Sequence, residues 1–170
     1  MRLKENTCVS RTRILFQILS CLLFFAVSGS AIAQPHPPRP INVTVNQNLG
    51  FGTFYHGVLG GSVSVSPAGV RSATGDVVLL VSGLYFAAIY RITGPPGTVV
   101  SLLNGPDVLL PGSGGGTLSL HIGNSIPASP FVLTPGPFLV NVGGTLTVGN
   151  SAANPPGNYS GTFNITFVQE

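Results

Sequence analysis

Ile41-Asn42-Val43-Thr44-Val45-Asn46 sets three aliphatic side chains in strict alternation with three polar ones. A period of two is what a β-strand needs when one face is buried and the other meets water. The same grammar recurs along the chain, and it predicts further strands over residues 52–55, 62–66, 77–81, 86–93, 99–103, 117–122, 131–134, 138–142, 145–148 and 159–169. Turn clusters are expected between them: Gly57 and Gly60-Gly61, Pro67-Ala-Gly69, Gly94-Pro-Pro-Gly97, Pro111–Gly116, Pro135-Gly-Pro137 and Asn154-Pro-Pro-Gly157. Glycine and proline at such points supply the backbone angles of tight turns. Gly143-Gly144, between two alternating runs, reads as a two-residue hairpin. No stretch combines helical length and period with freedom from Gly and Pro. Many short strands at regular spacing predict an all-β fold, an immunoglobulin-like β-sandwich over residues 41–170. Its expected core is Val63, Val65, Val78, Leu80, Ala87, Ile89, Val100, Leu102, Leu118, Leu120, Leu139, Leu146, Val148, Phe163, Ile165 and Phe167.

Upstream of the first strand the composition changes. Arg2, Lys4, Arg11 and Arg13 precede an apolar run over residues 14–27, and Ser28-Gly-Ser-Ala31-Ile32-Ala33 follows it. A basic start, a short apolar middle and a small-residue end are the three parts of a cleavable signal peptide, which we place at residues 1–33. The run is too short for a stable membrane-spanning helix, which is the competing reading. Cys21 sits in a faint lipoprotein-like box, but the apolar run continues past it, so it reads as filler. Residues 34–40 carry four prolines and form an extended leader, with a PxxP ligand as the alternative.

Removing residues 1–33 changes the charge reading. The whole chain carries +3, but beyond Ala33 three arginines (Arg39, Arg71, Arg91) balance Asp76, Asp107 and Glu170, and no lysine or cysteine is left. The excess positive charge therefore belongs to the targeting segment and gives no reason to expect nucleic-acid binding. The expected product is exported to the periplasm, cell surface or extracellular space, with no membrane span of its own. Its polar faces are Ser, Thr and Asn rather than Lys and Glu, which suits a protein packed into an assembly.

The catalytic inventory is thin. His36, His56 and His121 have no second ligand at metal spacing, and Asp76 and Asp107 both follow turn formers. There is no G-x-S-x-G elbow, and the glycine clusters at Gly50-Phe-Gly52 and 112–116 lack the dinucleotide pattern. The expectation is a non-enzyme with no catalytic residues, no metal and no cofactor.

Three stretches together carry a resemblance: Leu49-Gly-Phe-Gly-Thr-Phe54, then Gly61-Ser-Val-Ser-Val-Ser-Pro67 with Gly69-Val-Arg71, and last Val142-Gly-Gly-Thr-Leu-Thr-Val-Gly149 with Pro156-Gly-Asn-Tyr-Ser-Gly-Thr-Phe163. The chain resembles the exported bacterial family catalogued as domain of unknown function forty-four-oh-two. Its ending also resembles chaperone–usher pilins and spore-coat-U-type secreted subunits. That second likeness implies a structural subunit of a surface fimbria or related assembly. Its partners would be itself or other fimbrial-type subunits, with a periplasmic chaperone as a further partner, joined by strand addition. Ile41, Val43 and Val45 are the candidate donor strand, or equally the domain's own first strand, since alternation does not say which chain is paired. Gly157, Tyr159, Gly161, Phe163, Ile165 and Phe167 are the candidate final strand and assembly edge. The chain departs from many pilins in lacking a disulfide and in carrying Gln169 where those have a penultimate aromatic. The alternative is a monomeric secreted module binding carbohydrate or another surface through Phe54, Tyr55, Tyr85, Tyr90 and Tyr159.

Overall fold

The computed structural model describes residues 39–170; the expected signal peptide and most of the leader lie outside that range. Twelve strands follow one another: β1 (Asn42–Gln47), β2 (Gly50–Phe51), β3 (Phe54–Val65), β4 (Arg71–Leu79), β5 (Tyr85–Phe86), β6 (Ala88–Thr93), β7 (Val99–Asn104), β8 (Val108–Pro111), β9 (Thr117–Ile126), β10 (Phe131–Val132), β11 (Phe138–Val148) and β12 (Ile165–Gln169). Every pairing is antiparallel.

The larger sheet is ordered β1-β6-β11-β3-β4, with β9 also on β11 and β8 on β9. A three-stranded sheet, β10-β7-β12, packs against it, and β2-β5 form a small third sheet. Rings join the two main layers. Tyr90 of β6 meets Phe167 of β12 at 5.3 Å, and Phe131 of β10 stacks on Phe138 of β11 at 5.2 Å. The domain is thus an all-β sandwich. Its innermost side chains include Val63, Ile92, Val100, Val140 and Val142, all with 0% exposure.

β11 is the hub, and it corrects the expected hairpin at Gly143-Gly144. The chain runs straight through both glycines: residues 138–142 pair with β6 and residues 144–148 with β3. Their lack of a side chain serves packing instead. A Cβ at 143 would lie 2.5 Å from the Val65 carbonyl oxygen, and one at 144 would lie 2.8 Å from Leu49 Cδ2. Phase is the second correction. Val78 and Leu139 are exposed, while their neighbours Val77 and Val140 are buried. Each strand keeps one unbroken alternation, with Ala73, Val77 and Leu79 inward on β4 and Val140, Val142, Leu146 and Val148 inward on β11, so Val78 and Leu139 fall on the outer face.

The β3–β4 hairpin also folds back on itself. Arg71 and Leu80 would sit about 30 Å apart on a straight strand, yet Arg71 Nη2 donates to the Leu80 carbonyl at 2.7 Å. The bend falls at Gly75 (φ 69°), where the left-handed backbone favours glycine.

Candidate functional site

Residues 47–54 and 154–163 border a cleft of about 620 Å³. Its inner end is made by core residues of four strands: Ala88 and Tyr90 of β6, Leu110 of β8, Leu118 and Leu120 of β9, and Leu146 and Val148 of β11. One wall is residues 47–54, running from the end of β1 through β2. The other is residues 154–163, between β11 and β12. Among the described residues no Asp, Glu, Lys or Arg lines it. Burial pushes the Tyr90 phenol up from its ordinary pKa, so that group is neutral at the inner end of the cleft.

The first wall is held from outside by Arg71 together with one backbone bond, Leu80 N–H to Thr53 C=O at 3.0 Å. The Arg71 guanidinium donates to the carbonyls of Phe51 (3.1 Å), Thr53 (3.4 Å) and Leu80 (2.7 Å) and lies over the Tyr85 ring at 4.4 Å. Gly52, between two of those carbonyls, has φ 70°, and a Cβ there would strike the guanidinium. The Leu49-to-Phe54 motif therefore has a physical reading. Leu49 rests on Gly144, Phe51 and Phe54 pack on the core, and Gly52 lets two carbonyls turn to one cation.

The second wall is fixed at its foot and again at residues 158–160, where it is tied to residues 111–113. At its foot Asn154 is 3% exposed, the buried polar residue of the domain. Its Oδ1 accepts from Gly149 N–H (2.5 Å), its Nδ2 donates to Thr117 C=O (2.6 Å), and its own carbonyl accepts from His56 Nε2 (2.9 Å). Further on, Ser113 N–H bonds Asn158 C=O, Ser160 N–H bonds Pro111 C=O, and Gly105 N–H bonds Asn164 C=O. Tyr159 turns its hydroxyl back on Pro155 C=O at 2.6 Å. Among the described residues the N–H groups of Gly161, Thr162 and Phe163 meet no backbone partner.

The sequence-predicted residues fall as follows. Val43 and Val45 belong to the domain's own sheet, where β1 pairs with β6, Val43 opposite Ile92 and Val45 opposite Tyr90, while Ile41 lies just before β1 and packs against the core. Of the expected final strand, Ile165 and Phe167 lie in β12, whereas Gly157, Tyr159, Gly161 and Phe163 lie in the irregular second wall. Alternation persists there without a ladder. Tyr159 and Phe163 are half-buried between exposed neighbours, so the periodic signal was real although the strand bonding there is reduced to one isolated bridge, Tyr159 with Gly112. Of the aromatics, Phe54, Tyr90 and Tyr159 line the cleft, while Tyr55 and Tyr85 face outward.

The remaining polar groups are dispersed. His121 Nδ1 pairs with Asp107 Oδ1 at 2.7 Å, both well exposed, and Asp76 faces the Gly57–Leu59 bulge of β3. Among the described residues no cluster of three His, Cys, Asp or Glu could hold a metal, and no helix is long and apolar enough to cross a membrane. Two residues escaped the sequence reading, Arg71 as a clamp and Asn154 as a buried post. The only available sign of the second was an Asn at the head of a Pro-Pro-Gly turn, a position where Asn side chains bond nearby backbone.

The molecule is thus an uncharged-cleft, all-β sandwich domain. The family described as a domain of unknown function (DUF4402) matches residues 41–168, and the chain belongs to it. No curated protein and no solved structure matches.

Proposed function

We propose that this chain is a non-enzymatic structural subunit of a bacterial surface fimbria or related extracellular assembly, exported through its signal peptide. In this reading a β-strand from a neighbouring subunit enters the cleft and pairs with the second wall. The observation that carries it is residues 159–164, which keep the side-chain alternation of a strand but lie beside an apolar cleft with N–H groups free at Gly161, Thr162 and Phe163. Unpaired strand-like backbone beside apolar surface is what strand addition satisfies. A lining without Asp, Glu, Lys or Arg suits an extended segment with aliphatic side chains, a description that residues 41–45 of a second copy meet once they leave their own pairing with β6.

The test uses the chain from Gln34 onward and a synthetic peptide of residues 41–48. Mixed with the peptide, the amides of residues 161–163 should gain protection from hydrogen exchange, and the protein alone should form concentration-dependent oligomers in sedimentation. A strict monomer whose 161–163 amides exchange at the same rate with and without peptide would sink the proposal.

A further inference from the structure

We propose that Arg71 is the positioning residue of the cleft, holding the first wall at the distance from the core that an incoming strand requires. This rests on the strand-complementation reading of the same cleft. Arg71 itself does not line the cavity; it stands behind the wall and acts through the backbone of residues 51–53.

Apart from Arg71 the wall is held by Leu80 N–H donating to Thr53 C=O at 3.0 Å, by Gln47 Nε2 donating to Ala87 C=O at 2.9 Å, and by a short ladder. β2 is two residues long and pairs only with the equally short β5, Gly50 opposite Phe86 and Phe51 opposite Tyr85. A segment of that length cannot keep its place by ladder bonds alone. The guanidinium adds to the single backbone bond between Leu80 and Thr53. It gathers carbonyls from before the hairpin (Phe51, Thr53) and after it (Leu80), and its face covers Tyr85 of the facing strand. A planar fork of five N–H donors spreads two nitrogens over three carbonyls, whereas an ammonium would have to gather all three around a single nitrogen. The bend at Gly75 brings Arg71 to this place, because it returns Leu80 to the start of β4.

A wall fixed in advance matters for binding. When only a fraction of molecules has the receptive geometry, the apparent affinity falls by that fraction. Loosening the wall would therefore slow association, whereas contacts in the filled cleft, and hence dissociation, would be the same.

The experiment compares wild type with Arg71→Lys and Arg71→Gln in the chain from Gln34 onward. Labelled peptide 41–48 is the binding probe, and amide exchange at residues 51–54 is followed in the peptide-free protein. The expected result is an association rate lowered about tenfold, a dissociation rate within about twofold of wild type, and faster exchange at residues 51–54 without faster exchange in β9 or β11. Unchanged association together with unchanged exchange overturns the assignment. So does a loss confined to the dissociation rate, which would put Arg71 in contact with the strand. If wild type itself fails to bind the peptide, the complementation reading falls, and exchange at residues 51–54 still decides whether Arg71 fixes the wall.

Discussion

The two walls of the cleft are built by opposite means. Residues 47–54 are gripped along their middle by a cation that never touches the cavity, whereas residues 154–163 are anchored at the foot by Asn154 and left with free N–H groups near the far end. One wall is a fixed edge and the other a loose one. A strand entering the cleft needs both: a fixed edge to define the gap and an unpaired backbone to zip onto. The cavity reaches core side chains such as Leu118 and Leu120 that are almost fully shielded, so admission of a strand requires one wall to yield. The bonding pattern assigns that movement to the second.

Removing the foot of the loose wall should have the largest effect. Asn154→Ala leaves Gly149 N–H and Thr117 C=O without partners at a site 3% exposed. Each orphaned buried group costs on the order of 1–3 kcal/mol, so we expect a loss of about 3 kcal/mol in urea denaturation. His56 also loses the geometry of its acceptor, the Asn154 carbonyl. A loss below about 1 kcal/mol would show that the foot is not anchored by this side chain and that the two walls are alike.

That asymmetry was only half visible in the amino-acid sequence. Alternation and turn chemistry made the all-β class legible, because period two and Gly/Pro punctuation are local properties. The turn at residues 66–70 closes as expected, with Ser66 and Val70 paired and Gly69 N–H bonded to Ser66 C=O. What was not legible depends on partners. Tyr159, Gly161 and Phe163 alternate just as Ile165 and Phe167 do, but the first three have a single bridge, Tyr159 to Gly112, whereas the second pair lies in a full ladder with β7. Gly143-Gly144 looked like a turn because a glycine needed for close approach is indistinguishable from one needed for a positive φ. Arg71 and Leu80 are too far apart along the chain for any local pattern to join them, and the bend that does so is a tertiary event.

The fixed wall can be tested from its backbone side. Gly52→Ala sets a Cβ at φ 70° and against the Arg71 guanidinium. Left-handed backbone costs an alanine about 1 kcal/mol, and displacing the clamp should bring the total to about 2 kcal/mol. Gly97→Ala is the control: its φ is 86° but a Cβ there meets nothing within 4 Å. The difference between the two variants in thermal or urea unfolding isolates the contact with Arg71. Equal losses would mean that the wall carries strain alone and that Arg71 does not grip it.

On the loose wall the corresponding change should be mild. Gly161 is not among the glycines with positive φ, so alanine fits its backbone without strain. A Cβ at 161 would lie 2.7 Å from Leu110 Cδ2, the far end of a flexible side chain. Either Leu110 turns or the wall moves out by a few tenths of an ångström, and the scarcity of bonds at residues 161–163 makes the second easy. Alanine also narrows the unfolded ensemble, an effect worth about 0.4–1 kcal/mol in favour of the fold. The two terms oppose each other, so Gly161→Ala should change stability by less than about 0.5 kcal/mol. A loss above about 1.5 kcal/mol would mean that the wall is pressed tightly against β8. The cleft would then have two fixed edges, and a strand could enter only by breaking one of them.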